Sequence, residues 1–203
     1  AIGSTVTLQT LHDTTAIGLN DASQNLNFTD QQLDTIDTQN LIIGSASQTA
    51  GIKVGTDGSV TLNENLTLLT AGRIGVFGAL SLDGTNNLLL DAGDDIRIDG
   101  SVATAAGNMQ LLADDDVTMG VSGLVTSSTG NVFVRADADG NSNGAGGGIT
   151  MTDGARIVVG TGTLTMLADE TIVLGQLVSS NTTANAIAVT SQHGGIVDGG
   201  DST

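Results

Sequence analysis

Cysteine, proline, tryptophan and tyrosine are all missing from this 203-residue chain, and phenylalanine occurs three times. Without cysteine there is no disulfide staple and no redox clue to compartment. Without proline, no strand loses a ladder hydrogen bond to a missing N–H. The shortage of aromatics excludes a core built on large rings. The interior must be filled by Leu, Ile, Val, Met and Ala, which suits a narrow, layered core. Bases are nearly as scarce: Lys53, Arg73, Arg97, Arg135 and Arg156 stand against a net charge of −17. That balance argues against nucleic acid as a partner, since binding it takes a basic stripe. It argues equally against an anionic membrane surface, and favours solubility and divalent cations as company. No apolar run approaches the ~18 residues of a spanning helix, so no membrane insertion is expected. The opening AIGSTVTLQT lacks the basic start and apolar centre of a signal peptide. It begins at Ala, which reads as a processed chain or a piece of a longer one.

What is present is a repeat. Five segments, beginning at Leu66, Leu88, Met109, Val132 and Leu164, share the same apolar beats at a spacing of about 22 residues, and a sixth begins at Ala186. A unit this short cannot bury its own apolar face, so neighbours must stack into a rod. Alternation marks the strands. The first strand of each unit points two residues inward: Leu66 and Leu68, Leu88 and Leu90, Met109 and Leu111, Val132 and Val134, Leu164 and Met166, Ala186 and Ala188. A small residue follows (Ala71, Ala92, Ala113, Ala136, Ala168), reading as a tight corner. The second strand offers Ile74 and Val76, Ile96 and Ile98, Val117 and Met119, Ile149 and Met151, Ile172 and Leu174. A third beat falls at Leu80, Val102, Leu124, Ile157 and Leu177, and units close on Asn65, Asn87, Asn108, Asn131 and Asn185. Asparagine tolerates left-handed turns and bonds its own kind above and below.

Three strands and three corners per unit predict an all-β fold, a β-helix (β-solenoid) of triangular section. About nine coils at ~4.8 Å would give a rod of roughly 40 Å. The runs are too short and too strictly alternating for helices. The L-x-x-L-x-L pattern of leucine-rich repeats does not occur. A two-sheet sandwich shares the short strands and close turns, but not the recurring Ala and Asn positions. The chain reads as a single solenoid domain over 1–203. Within it lie less regular coils over 26–65, regular coils over 66–197, a loop insertion at 137–148 and a tail at 198–203. Near the N-terminus, TDQQLDTI predicts a helical turn or two. Thr29 and Gln32 are spaced as a capping box, with Phe28 and Leu33 placed as a hydrophobic staple. No strong cap is evident at either end of the array.

The segments LNFTDQQLDTIDTQNLIIGS (26–45), LTLLTAGRIGVFGALSLDG (66–84) and LLLDAGDDIRIDGSV (88–102) resemble the strand repeats of filamentous-haemagglutinin-like bacterial exoproteins. The likeness runs from about residue 26 to 190. It implies a right-handed parallel β-helix, an extracellular or cell-surface location, and a role in adhesion or as a stalk. It supplies no catalytic motif. The chain departs from that family in lacking the conventional N-terminal secretion module.

Candidate chemistry is sparse. Acidic corners recur at Asp91, Asp94 and Asp95, at Asp114, Asp115 and Asp116, at Asp137 and Asp139, and at Asp169 and Glu170. Stacked, they form a stripe of like charge, relieved by outward splay or by a hard cation with oxygen ligands. The insertion DADGNSNGAGGG carries oxygens at alternate positions, making Asp137, Asp139 and Asn141 candidate Ca²⁺ ligands. It fails the EF-hand pattern at Ser142 and Gly148. His12 and His193 are isolated at opposite ends, and no G-x-S-x-G elbow occurs. Acids without aromatic platforms, and with few bases near them, offer little to a carbohydrate-active enzyme. Inverting hydrolysis by paired Asp is the form such an activity would take. Hydroxyls gather along the third side (Ser101, Thr104, Thr126, Ser127, Ser128), without the regular spacing of an ice- or crystal-binding ladder.

The sequence therefore points to a non-enzymatic structural protein of the cell surface. It would be an adhesin stalk or a subunit stacking end to end, with flanking coils or copies of itself as partners and a host or cell-surface receptor as a further one. A Ca²⁺-dependent binding module and a carbohydrate-active β-helix are the alternatives.

Overall fold

The computed structural model describes residues 3–140 and 146–200. Every strand pairing in it is parallel, and the strands form three sheets. The first side has eight strands: Thr5–Leu8, Asn40–Ser45, Asn65–Thr70, Leu88–Ala92, Met109–Ala113, Val132–Arg135, Leu164–Ala168 and Ile187–Ser191. The second has nine: Leu26–Phe28, Ile17–Leu19, Ile52–Val54, Ile74–Val76, Ile96–Ile98, Val117–Met119, Ile149–Met151, Ile172–Leu174 and Ile196–Asp198. The third has six: Val60–Leu62, Ala79–Leu82, Ser101–Thr104, Leu124–Ser127, Arg156–Val159 and Gln176–Ser179. The chain visits the sides in rotation, so each turn lays one strand on each sheet. The result is a β-solenoid of about seven turns with coils of about 23 residues. That is shorter than the nine coils expected, because the first 40 residues fill only two of the three sides. The sandwich is excluded, since it would need antiparallel neighbours.

Register follows from the period of two. Leu68, Leu90 and Leu111 are direct cross-strand partners, as are Ile74, Ile96 and Val117. Each has no more than 1 % of its surface exposed. A one-residue slip would turn every such side chain to solvent, which is what fixes the pairing. Fully burying one Leu or Ile is worth about 1.5–3 kcal/mol, and the columns repeat that gain at each layer. None of the three Phe joins the fully buried set.

Four expected positions shift by one residue. In the last coil Ile187 and Val189 face inward, not Ala186 and Ala188. Thr70, not Ala71, shares the corner column with Ala92. Its buried hydroxyl donates to the Gln48 and Ala50 carbonyls, so a polar residue satisfies the site as well as alanine does. On the third side Val125, not Leu124, pairs with Val102 and Ile157. The asparagine column runs Asn40, Asn65, Asn87, Asn108, Asn131 and then Thr163; Asn185 is displaced by Ala186. Along the central column each amide oxygen accepts the backbone N–H of the residue one layer on, at 2.8 Å from Asn87 and Asn108 and 3.0 Å from Asn131. In each case the alternation survives; what moves is the length of the preceding corner.

Corners are sites of close backbone approach. A Cβ on Gly107 would lie 1.7 Å from the Asn86 carbonyl oxygen, one on Gly130 would lie 1.9 Å from that of Gly107, and one on Gly162 would lie 2.0 Å from that of Gly130. The layers stack there with no room for a side chain.

The helix forms at Asp30–Leu33 with Thr29 as N-cap and the reciprocal Thr29–Gln32 capping box. Leu33 is fully buried, and the helix lies against Val60–Leu62. The Asp30 carboxylate accepts the Thr61 N–H at 2.8 Å. This helix therefore closes the first strand of the third side, which the sequence had shown as uncapped.

Candidate functional site

The acidic corners are drawn together as the repeat predicts, but their repulsion is relieved in a way the sequence did not show. Asp95 accepts the Asp116 N–H at 3.2 Å, and Asp116 accepts the Gly148 N–H at 2.9 Å. Each carboxylate is thus satisfied by the layer above it. Arg73 spans Asp94 and Asp95 at 3.0 and 2.9 Å. The charges of Asp95 and then Asp94 push the guanidinium pKa further up. Among the described residues, Asp94, Asp95 and Asp115 are the one group of three carboxylates within 4.8 Å of one another, and Arg73 already supplies a cation there. Burial raises the pKa of Asp115, aided by the charges of Asp94, Asp95 and Asp116. Burial also raises Asp91, and raises Asp114 with help from Asp139, Asp91 and Asp115.

The insertion leaves the rod after Ala136, which is buried in the core with its N–H donated to the Leu167 carbonyl, and rejoins it at Gly148, whose carbonyl accepts the Val117 N–H. Of the candidate Ca²⁺ ligands, Asn141 lies outside the described residues. Asp137 is nearly buried in a left-handed conformation, φ 56°. Its N–H donates to the Asp115 carbonyl, and its own carbonyl accepts from Gly140 N–H and from Arg135 at 3.0 Å. The charge of Asp139 bears on Asp114. Backbone bonds thus clamp the start of the insertion to the coil beneath it.

His193 is not isolated: its Nδ1 lies 2.7 Å from the Asp169 carboxylate. The nearby Ser191 hydroxyl is engaged elsewhere, donating to the Glu170 carbonyl and accepting from Gly194 N–H. The hydroxyl row on the third side is also interrupted. Thr104 and Ser127 are buried and donate to the carbonyls of Gly107 and Gly130.

One concavity was not foreseen. It is a groove of about 500 Å³ on the outer face of the second side, lined by Lys53, Arg73, Gly75, Phe77, Asp95 and Arg97 among others. Lys53, Gly75, Arg97 and Thr118 are register partners on consecutive strands, so they form one outward column. Phe77 is exposed. Its ring lies over Gly75, where a Cβ would meet ring carbon Cε2 at 2.6 Å. Arg97 is held by Asp99 at 2.7 Å. The expectation of acids without aromatic platforms or nearby bases is overturned at this face. Three of the five cations, an aromatic ring and an acid converge there. The signal was legible: Lys53, Gly75 and Arg97 each follow the first inward residue of a second-side strand.

Three parallel ladders around one apolar core define the chain as a β-solenoid. No protein-family model, curated protein or solved structure matches it. Among the described residues, no helix is long and apolar enough to cross a membrane.

Proposed function

We propose that this chain is a non-catalytic structural rod of the cell surface or extracellular space, a stalk of adhesin type that extends by stacking at its C-terminal end. The carrying observation is the open apolar layer at the C-terminal end. At the N-terminal end, the helix and the Asp30 carboxylate close the third side, while Val6 and Leu8 on the first side are also half-buried. At the other end, the inward-facing row is open. Ile196 is 49 % exposed, whereas Ile172, one layer below in the same column, is fully buried. Ile187 and Val189 are likewise only half-buried, over fully buried Leu164 and Met166. Solenoids cover such faces with a cap or with another repeat, because an open apolar layer with unpaired strand edges invites pairing. A further parallel layer, from flanking coils or a neighbouring copy, satisfies both the apolar row and the edges. The acidic, lysine-poor surface and the likeness to haemagglutinin-type repeats support the surface location.

Sedimentation velocity across a concentration series tests the stacking. The chain is expected to associate as concentration rises, and Ile196→Asp is expected to remain monomeric with an unchanged β-type circular dichroism spectrum. A chain that stays monomeric at about 1 mM, where even a weak contact would show, overturns the stacking reading.

A further inference from the structure

We infer that the groove on the second side is a saccharide-binding site that takes a short stretch of a uronic-acid-bearing polysaccharide. It lies on strands well below the stacking end, so it does not depend on how the rod assembles.

The groove combines what a sugar ring requires. A pyranose presents an apolar C–H face and an edge of hydroxyls. Phe77 supplies a partly exposed ring, and the glycine beneath it leaves room for that ring against the sheet. Aromatic rings with one wet face are suited to ligands that are apolar on one side and polar on the other. Around the ring stand donors and acceptors for hydroxyls: Arg73, Arg97, Asp95 and Thr118. The two guanidiniums are already oriented by Asp94, Asp95 and Asp99. Each keeps N–H donors beyond those it spends on the carboxylates, since an arginine carries five. Holding them in advance lowers the ordering cost of binding.

Lys53 gives the ligand its charge. It is exposed, sits in the same outward column, and forms no salt bridge among the described residues, although its charge reaches Asp21 and helps hold that carboxylate's pKa low. One ammonium outside any salt bridge, beside two guanidiniums each held by carboxylates, suits an occasional carboxylate and not a continuous polyanion. A nucleic acid or a run of glutamates would bring dense negative charge against Asp94, Asp95 and Asp99 and against the −17 of the whole chain. A uronate chain has one carboxylate per sugar or fewer, spaced by neutral hydroxyl surface. A volume of about 500 Å³ falls within the ~300–1,000 Å³ of sites for small ligands.

Calorimetric titration of the intact chain tests this with hexasaccharides of hyaluronan, polygalacturonate and polymannuronate. Maltohexaose serves as the neutral control and hexaglutamate as the acidic peptide. At least one uronate probe is expected to bind one-to-one, more weakly at high salt. Phe77→Ala and Lys53→Met are each expected to weaken it by about tenfold, the size of one lost charged or stacking contact. Lys53 is exposed, so the melting temperature of Lys53→Met is expected to match the parent, whereas Phe77→Ala, which loses packing on Gly75, is expected to melt slightly lower with an unchanged β-type circular dichroism spectrum at the titration temperature, which separates lost binding from lost folding. The assignment is overturned if none of the three uronate probes binds at about 1 mM. It is also overturned if either variant binds as well as the parent, or if hexaglutamate binds as tightly as the sugars.

Discussion

Replacing Gly130 by alanine is the sharpest probe of the stacked corners. The added Cβ would lie 1.9 Å from the Gly107 carbonyl oxygen. Carbon–oxygen contacts close at about 3.3 Å, so the layers would have to part by more than an ångström at that corner. The partner is backbone, held in both directions. Ser127 donates to the Gly130 carbonyl at 3.1 Å, and Thr104 donates to that of Gly107 at 2.9 Å. Neighbouring ladder bonds, Met109 N–H to Asn131 and Val132 N–H to Thr163, are both 2.8 Å and would stretch. Overpacking costs about 1–3 kcal/mol where side chains can move; here the upper end applies, about 3 kcal/mol. For a chain of this length each kcal/mol moves the melting temperature by about 2–4 °C. The expected fall is therefore about 6–12 °C, read by circular dichroism on heating. Gly195→Ala is the control, since nothing lies within 4 Å of its added Cβ. It should stay within about 0.5 kcal/mol of the parent. If Gly130→Ala melts with the parent, the layers are not in the contact described and the corner argument fails.

Acidification is expected to stabilise the rod before it destabilises it. Burial holds the pKa of Glu64, Asp91, Asp114 and Asp115 above the ordinary carboxylate range. Such groups bind more protons folded than unfolded, so their contribution is greatest at low pH and is lost as pH rises through the folded pKa. Asp21 acts oppositely: burial raises it, but bonds from Ser23 and Thr56 and the charge of Lys53 together outweigh that and hold it low, so its share is lost only at more acid pH. The melting temperature should be higher near pH ~5 than near pH ~7.5, a range that lies above the unfolded carboxylate values; a melting temperature that drops as the pH is lowered from ~7.5 to ~5 would refute the sign. Asn108→Ala removes the acceptor for the Asn131 N–H and should cost about 1 kcal/mol in a denaturant melt. No measurable change would show that the asparagine column is incidental.

The sequence by itself determined the class of fold. The period of about 22 residues, the two-residue alternation and the turn-forming corners leave few alternatives to stacked parallel coils. Thr29 and Gln32 also announced their capping box, because such a motif lies within one helical turn. Tertiary structure decided everything that depends on corner length. Whether Thr70 or Ala71, Leu124 or Val125, Ala186 or Ile187 meets the column is settled by how many residues each bend consumes, and only stacking fixes that number. It decided too that a helix closes the third side at one end while Ile196 stays exposed at the other. The groove belongs to the same category. Lys53, Gly75 and Arg97 are about 22 residues apart in the chain, and parallel pairing at ~4.8 Å turns that interval into one surface. Only there can a column of outward positions, silent in any single repeat, become a site.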